Sequence, residues 1–305
     1  MGTSFHREDV KFYSKGTECA AWLYLPDTDE AFPVIVMANG LGGTREMRLY
    51  EYAERFAKAG FACFLFDYRN FGASGGKKRQ LINAKMQLAD WQNAIEAAKR
   101  DPRIDGNRLL LFGGSFSGGH VIWLSAHRTD VQATVAQCPY TNTMATLKQV
   151  GLVYILKKIP LIIADLFTCV TGYHPLTLPL FSSTGKNAFL IADASTIKGF
   201  VGDAEYINAS PARSLLEFFK YSPGKFFAGI HTPIYVAVCL KDAIAPACKT
   251  IQLAANAEKA TVKEYDCGHF DIFFGSRFEE AITDYLAFFE QNGFPRAAKP
   301  ETAHR

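Results

Sequence analysis

The sequence predicts an α/β protein with a mostly parallel central sheet and helices on both faces. Two observations lead to this prediction. Apolar runs of strand length alternate with longer segments of helical periodicity along most of the chain. The alternation stops over residues 141–209 and then resumes, which indicates an insertion into one continuous core. We therefore expect an α/β core at 1–140 and 210–293, a helical cap at 141–209 and a flexible tail at 294–305.

The first elements precede the parallel part of the sheet. Residues 10–25 alternate apolar and polar side chains around Lys15-Gly16, which predicts an antiparallel hairpin at a sheet edge. Residues 32–38 form a continuous apolar run, typical of a buried strand, and a helix is expected over 44–59.

The later core elements continue this alternation, whereas the cap segment is rich in aromatic residues and has no strand periodicity. An insertion of this kind is expected above the carboxyl ends of the strands, where such sheets bind ligands. Strands are predicted at 61–66, 109–112, 131–138, 233–240 and 261–265, and helices at 81–100, 118–127, 210–219, 247–259 and 277–292.

Composition argues against several classes of function. The 305 residues carry a net charge of +3, which is too small to suggest a nucleic-acid partner. Seven scattered cysteines without a C-x-x-C pair favour reduced thiols over disulfides or a zinc site. No H-E-x-x-H or comparable ligand spacing occurs, so we expect no metal. We also expect no cofactor. The polar N-terminus lacks the apolar core of a secretion signal, and we predict a cytoplasmic location.

Residues 151–170 are apolar enough to require a membrane test. Lys157, Lys158 and Asp165 lie near the centre, where each charge would cost roughly 2.5–3.5 kcal/mol. We therefore predict no membrane span but a buried or lid helix that is interrupted at Pro160.

The segment Gly113-Gly-Ser-Phe-Ser-Gly-Gly119 connects an apolar strand to a helix-like segment. Small residues around a serine are typical of a nucleophile elbow, where the serine has a strained backbone and lies at a helix N-terminus. Because Gly113 directly follows the strand, the register favours Ser115; Ser117, the alternative, lies about half a helical turn further. Taken alone, the segment could also be a glycine-rich turn that binds phosphate or only connects two elements.

An activated serine needs a histidine base, and the base needs a carboxylate. His269 follows a late strand through a glycine turn, and Asp242 follows the preceding strand. This is the chain order serine, acid, histidine that is typical of folds with a nucleophile elbow. Asp266 and Asp271 are rivals, but they lie too near His269 on one turn to reach its ring well. The alternative for Asp242 is that it only forms a turn.

The oxyanion formed during acyl transfer needs two backbone N–H donors. The amide that follows the nucleophile belongs to Phe116, and the glycine-rich loop at 39–43 after the first buried strand offers Leu41. Within the cap, we predict that Tyr154, Phe167 and Tyr173 bind an apolar substrate. The alternative is that the cap aromatics form only the cap's own core.

Three motifs carry a resemblance that covers nearly the whole chain. The loop Asn39-Gly-Leu-Gly-Gly-Thr44, the turn Phe66-Asp-Tyr-Arg-Asn-Phe-Gly-Ala-Ser-Gly75 and the elbow at 113–119 resemble the α/β-hydrolase superfamily. They are most similar to its Xaa-Pro dipeptidyl-peptidase-like branch, which includes polyketide transferases and in which the serine equivalent to Ser115 is the nucleophile. Asn39 departs from the pattern, because the branch has a histidine at this loop position.

The resemblance implies a serine hydrolase that cleaves an ester or related acyl substrate, an apolar one by the cap's composition, through an acyl-enzyme. One alternative is an acyl or polyketide transferase that uses the same three residues. Another is a non-catalytic binding scaffold on the same fold. The expected partner is a small acyl compound, and the sequence does not decide between a monomer and a homo-oligomer.

Overall fold

A computed structural model describes residues 3–28, 31–151, 153, 156–183 and 188–296. Eight strands form one central sheet: β1 (Phe5–Ser14), β2 (Thr17–Pro26), β3 (Phe32–Ala38), β4 (Ala62–Phe66), β5 (Ile104–Gly114), β6 (Val131–Gln137), β7 (Ile234–Cys239) and β8 (Ala260–Tyr265). Their order across the sheet is β1-β2-β4-β3-β5-β6-β7-β8. Only β1–β2 and β2–β4 pair antiparallel in this sheet. The mostly parallel sheet predicted from the sequence is confirmed.

Nine α-helices of the described residues are numbered in chain order. They are α1 (Leu49–Lys58), α2 (Ala84–Ala98), α3 (Phe116–His127), α4 (Thr143–Val150), α5 (Ile159–Thr171), α6 (Ala194–Val201), α7 (Leu216–Lys220), α8 (Ala247–Ala254) and α9 (Gly275–Gln291). Short 3₁₀ helices occupy Ala212–Leu215, Pro223–Gly229 and Asp271–Phe273.

The N-terminal hairpin is confirmed. Ser14 pairs with Thr17, so Lys15 and Gly16 alone form the turn. Both have positive φ, 48° and 79°, as a two-residue turn between right-twisted strands requires.

Two pairs of helices cover the sheet. On one face α1 packs with α9, and the rings of Tyr52 and Phe278 meet with centroids 4.6 Å apart. On the other face α2 packs with α3, where His120 Nε2 lies 3.0 Å from Gln87 Oε1. Strands β3 and β4 are buried along their whole length, as their continuous apolar runs predict.

The cap segment carries α4, α5 and α6 together with short strands that its sequence does not reveal. Residues 177–178 pair antiparallel with 210–211, and 181–182 pair parallel with 190–191. Strands of two residues are too short to show a periodicity. The helix predicted from residue 210 is therefore wrong at its start: Ser210 pairs with Leu178, and its hydroxyl donates to the carbonyl of Gln80 at 2.7 Å.

The apolar segment tested for a membrane span contains α5. Pro160 lies in the first turn of this helix, where proline is well tolerated, so it marks the start of the helix and not the predicted interruption. Asp165 is fully buried and pairs with Arg213, Nη1 to Oδ1 2.9 Å. None of the helices in the described ranges has the length and apolar content that crossing a membrane requires.

The ordered chain continues past the predicted core boundary at residue 293. Gly293 has a φ of 88° after α9, and Phe294 N donates to Phe289 O at 3.0 Å. The Phe294 side chain is buried, and the Arg108 guanidinium lies over its ring. Residues 297–305 of the predicted tail lie outside the described residues.

Candidate active site

Ser115 lies between β5 and α3 in a strained backbone conformation. Its φ is 57° and its ψ is −121°, a region that costs a non-glycine residue of the order of 1–3 kcal/mol. Two neighbours hold this geometry: Ser115 N donates to Gln137 O at 2.8 Å, and Tyr140 N donates to Ser115 O at 2.9 Å. A strained serine held by both of its backbone groups matches the predicted elbow.

The glycines around Ser115 are required by close approach. A Cβ at Gly113 would lie 2.4 Å from the carbonyl oxygen of Ser117, and one at Gly40 would lie 2.7 Å from the Ser115 Cβ. Both distances are shorter than van der Waals contact allows. The backbone after β3 therefore comes as close to Ser115 as the glycine-rich loop suggests.

The structure brings Ser115, His269 and Asp242 together. Ser115 Oγ lies 2.9 Å from His269 Nε2, and His269 Nδ1 lies 2.6 Å from Asp242 Oδ2. These residues follow β5, β8 and β7 respectively, so all three stand at the carboxyl ends of parallel strands. The rival carboxylates point elsewhere: Asp266 is exposed and pairs with Lys241 at 2.8 Å, and Asp271 accepts from Gly268 N at 2.8 Å.

Asp242 is buried, and both of its carboxylate oxygens are hydrogen-bonded. Its Oδ1 accepts from the amides of Ile244 and Ala245 at 2.7 and 2.8 Å, which leaves Oδ2 for His269. An ionised carboxylate only accepts hydrogen bonds, so His269 Nδ1 carries the proton. The lone pair of Nε2 is then directed to the hydroxyl of Ser115.

Ser117, the alternative nucleophile, faces the protein interior. Its Oγ lies 2.9 Å from the hydroxyl of Tyr68, which also accepts a hydrogen bond from Trp91 Nε1 at 2.8 Å. Ser117 is 1% exposed, whereas Ser115 is partly exposed. The two serines are thus separated by the turn of the helix, as the register argument predicts.

The predicted oxyanion donors flank Ser115. Leu41 lines the same crevice, and Phe116 is the first residue of α3, where amides have no intrahelical acceptor. Among the described groups, neither amide donates a hydrogen bond. Both are therefore available to a ligand oxygen.

Asn39 fixes the loop that carries Leu41. Its Nδ2 donates to the carbonyls of Thr44 and Met47 at 2.8 and 2.9 Å. Asn39 thus stabilises the loop by hydrogen bonds to its own backbone. The Xaa-Pro dipeptidyl-peptidase-like branch has histidine at this position.

The crevice at Ser115 is narrow and apolar. Its volume is about 10 Å³, which is close to what one water needs. Its apolar wall comes from the core and from the cap alike, and the cap supplies Phe181, Leu190 and Phe200. The Phe200 ring packs 4.9 Å from those of Phe270 and Phe273, centroid to centroid, which closes the cap onto the core.

The predicted substrate-binding aromatics lie elsewhere. Phe167 is 67% exposed on α5 and Tyr173 is 77% exposed just after it, and neither lines the crevice. Tyr154 lies outside the described residues. Because the cap has no clear periodicity, its sequence does not show which aromatic residues face the core.

Comparisons with known proteins identify the family to which this chain belongs. Residues 29–275 match the family described as serine aminopeptidase, S33, and the chain belongs to this hydrolase family. It is similar to the quorum-quenching protein AidA of Acinetobacter baumannii, 37% identical over 93% of this chain and 94% of AidA. It is also similar to the polyketide transferase af380 of Aspergillus fumigatus, 26% identical over 94% of this chain and 99% of the relative.

A solved structure supports the fold. The α/β-hydrolase GrgF from Penicillium superposes with a TM-score of 0.80 at 21% identity, covering 94% of this chain and 99% of GrgF. The predicted resemblance to α/β-hydrolases and polyketide transferases is confirmed.

Proposed function

We propose that this protein is a serine hydrolase that cleaves an ester or related acyl substrate through an acyl-enzyme. The observation that carries the proposal is the hydrogen-bond chain from Asp242 through His269 to Ser115. It ends on a serine held in a strained elbow beside two free amides. Membership of a hydrolase family supports the same reaction type.

The geometry suits a two-step mechanism. Ser115 Oγ attacks the substrate carbonyl carbon while His269 Nε2 takes the hydroxyl proton, and Asp242 stabilises the imidazolium. The carbonyl oxygen becomes an oxyanion that the amides of Phe116 and Leu41 can stabilise. His269 then protonates the leaving alcohol, which departs and leaves the acyl group on Ser115. Water, deprotonated by His269, then attacks the acyl carbon. The bond to Ser115 Oγ breaks, His269 returns the proton to this oxygen, and the acid is released.

The apolar crevice favours an apolar acyl group over a charged one. The crevice that contains Ser115 is also lined by Leu41, Phe181, Leu190 and Phe200. Burying a charge there would be costly, whereas methylene groups gain free energy when they leave water. We infer that the substrate is a small molecule with an aliphatic or aromatic acyl part.

Acyl transfer is the second candidate, since the relative af380 is named a polyketide transferase. The acyl-enzyme would form in the same way, and an alcohol in place of water would receive the acyl group. Product analysis with and without an added alcohol separates the two. Both reactions release the leaving alcohol, but hydrolysis converts the acyl group to the acid and transfer converts it to a new ester.

The relative AidA suggests a physiological substrate class, because it is named a quorum-quenching protein. We infer that an acylated signal molecule is a candidate substrate. A lactone with an acylamino substituent would need no other chemistry, since a lactone is a cyclic ester that the same attack on its carbonyl opens.

The decisive experiment combines labelling with turnover. A fluorophosphonate probe should label the purified protein, and p-nitrophenyl butyrate should be hydrolysed. A lactone with an acylamino substituent should release one acid equivalent per ring opened, measured by titration at constant pH. A folded protein that is not labelled and cleaves none of these substrates would be a binding scaffold and would overturn the proposal.

A further inference from the structure

A second, larger cavity adjoins the crevice at Ser115. Its volume is about 290 Å³, near the lower end of the range for small-molecule pockets. It lies between α4, α5, the end of α7 and the loop after β7. The apolar side chains in its wall include Leu147, Ile162, Leu190, Leu215, Phe218 and Ile244.

Leu190 connects the cavity to the candidate active site. This side chain is 6% exposed and lines both the cavity and the crevice. On another wall, the Phe218 ring lies 5.8 Å, centroid to centroid, from that of Phe116, whose amide is a proposed oxyanion donor. The cavity and the crevice therefore share the side chain of Leu190 as a wall.

Hydrogen bonds fix the cavity relative to the proposed acid. Gln149 Nε2 on α4 donates to the carbonyl of Asp242 at 2.9 Å, and Thr146 Oγ1 donates to the carbonyl of Ile244 at 3.2 Å. Both donors belong to the cavity wall. These two hydrogen bonds connect α4 to the loop that carries Asp242. They therefore fix the position of the cavity wall relative to the candidate active site.

We propose that this cavity binds the aliphatic acyl chain of the substrate, which makes medium- and long-chain acyl esters the substrate class. This inference rests on the proposed function. The crevice itself has room for little more than the reacting carbonyl, so a longer chain must leave it, and the apolar space beyond Leu190 adjoins it directly. Each methylene buried there should raise kcat/KM about fourfold until the cavity is full.

Adjacent residues on α5 provide a matched test. Ile162 is 5% exposed and lines the cavity, whereas Ile163 is 62% exposed and does not. For the wild-type protein, kcat/KM should rise along the p-nitrophenyl esters from acetate through butyrate to octanoate. Ile162→Trp should fill the cavity and lower the octanoate value by about tenfold or more, with acetate changed by less than about twofold. Ile163→Trp should keep the wild-type profile.

Further outcomes separate this inference from the proposed function. If esters are cleaved but the two tryptophan variants share the wild-type chain-length profile, the cavity does not bind the chain and the inference is overturned. If Ile162→Trp does not fold by circular dichroism, Leu215→Trp fills the same cavity from another wall. If no ester is cleaved, calorimetric titration of wild type with sodium decanoate still tests the cavity: binding abolished only by the cavity variants would support it, and no binding would overturn it.

Discussion

His269 and His120 both contact the elbow, from different elements and with different partners. His269 bonds Ser115 Oγ through one ring nitrogen and a carboxylate of Asp242 through the other. His120, on α3, has its ring 5.1 Å from that of Phe116, and its nitrogens lie 2.8 Å from the Tyr221 hydroxyl and 3.0 Å from Gln87 Oε1. Both side chains are buried and both ring nitrogens are hydrogen-bonded in each case, so burial and bonding do not distinguish them.

The difference lies in the charge of the partners. A carboxylate stabilises an imidazolium, whereas an amide and a phenol do not. Burial without such a partner lowers the pKa of His120 to about 3, so this imidazole stays neutral at ordinary pH. The comparison shows that His269, which bonds both a serine and a carboxylate, is the candidate base, whereas His120 has neither partner.

The largest expected effect distinguishes Ser115 from Ser117, the two serines of the elbow. Ser115→Ala removes the attacking oxygen and should lower ester turnover by about 10⁵-fold, with loss of fluorophosphonate labelling. Ser117→Ala, two residues further, should keep labelling and change turnover by no more than a few-fold, because its hydroxyl faces Tyr68 in the interior. A reversal of these results would make Ser117 the nucleophile.

The second-largest expected effect tests the role of the Asp242 carboxylate. Asp242→Asn keeps the shape of the side chain but cannot stabilise an imidazolium, and its amide can favour the wrong tautomer of His269, so kcat should fall by roughly 10⁴-fold. Asp266→Asn is the matched control on the neighbouring loop and should leave kcat unchanged, since Asp266 is exposed and pairs with Lys241. Near-wild-type turnover in Asp242→Asn would remove Asp242 from the acid role.

The residues near Ser115 could be predicted because each is set by local sequence. Gly113 is required by its close approach to the carbonyl of Ser117, four residues further along the chain. Asp242 and His269 each follow the end of a predicted strand within a few residues. The same local rules gave the hairpin at Lys15 and Gly16, where both residues must adopt positive φ.

The cap could not be predicted in the same way, since long-range contacts determine it. Phe181 and Phe200 face the crevice because they pack on the Phe270 ring of the core, whereas Phe167 faces solvent. Nothing in the local sequence separates these three phenylalanines. The bond from Gln149 to the Asp242 carbonyl joins residues 93 positions apart, and no short pattern predicts it.

The smallest expected effect is a pH dependence of the free energy of unfolding that arises from His120. Because its pKa in the folded protein is about 3, well below the usual 6.5, the unfolded chain binds a proton at this position between these values and the folded protein does not. The contribution of His120 therefore lowers the free energy of unfolding as pH falls below 6.5. Between pH 7.5 and pH 5 this decrease is about 2 kcal/mol. His120→Gln should remove this contribution, so its free energy of unfolding in urea should fall by about 2 kcal/mol less than that of wild type over the same interval.

Asp67 acts in the opposite direction, since burial raises its pKa to about 6 and its proton stabilises the folded state as pH falls. This contribution is common to wild type and variant, so it cancels when the two pH dependences are subtracted. If His120→Gln shows the wild-type slope, His120 takes up its proton in the folded protein. The argument that His120 stays neutral because its partners carry no charge would then be wrong.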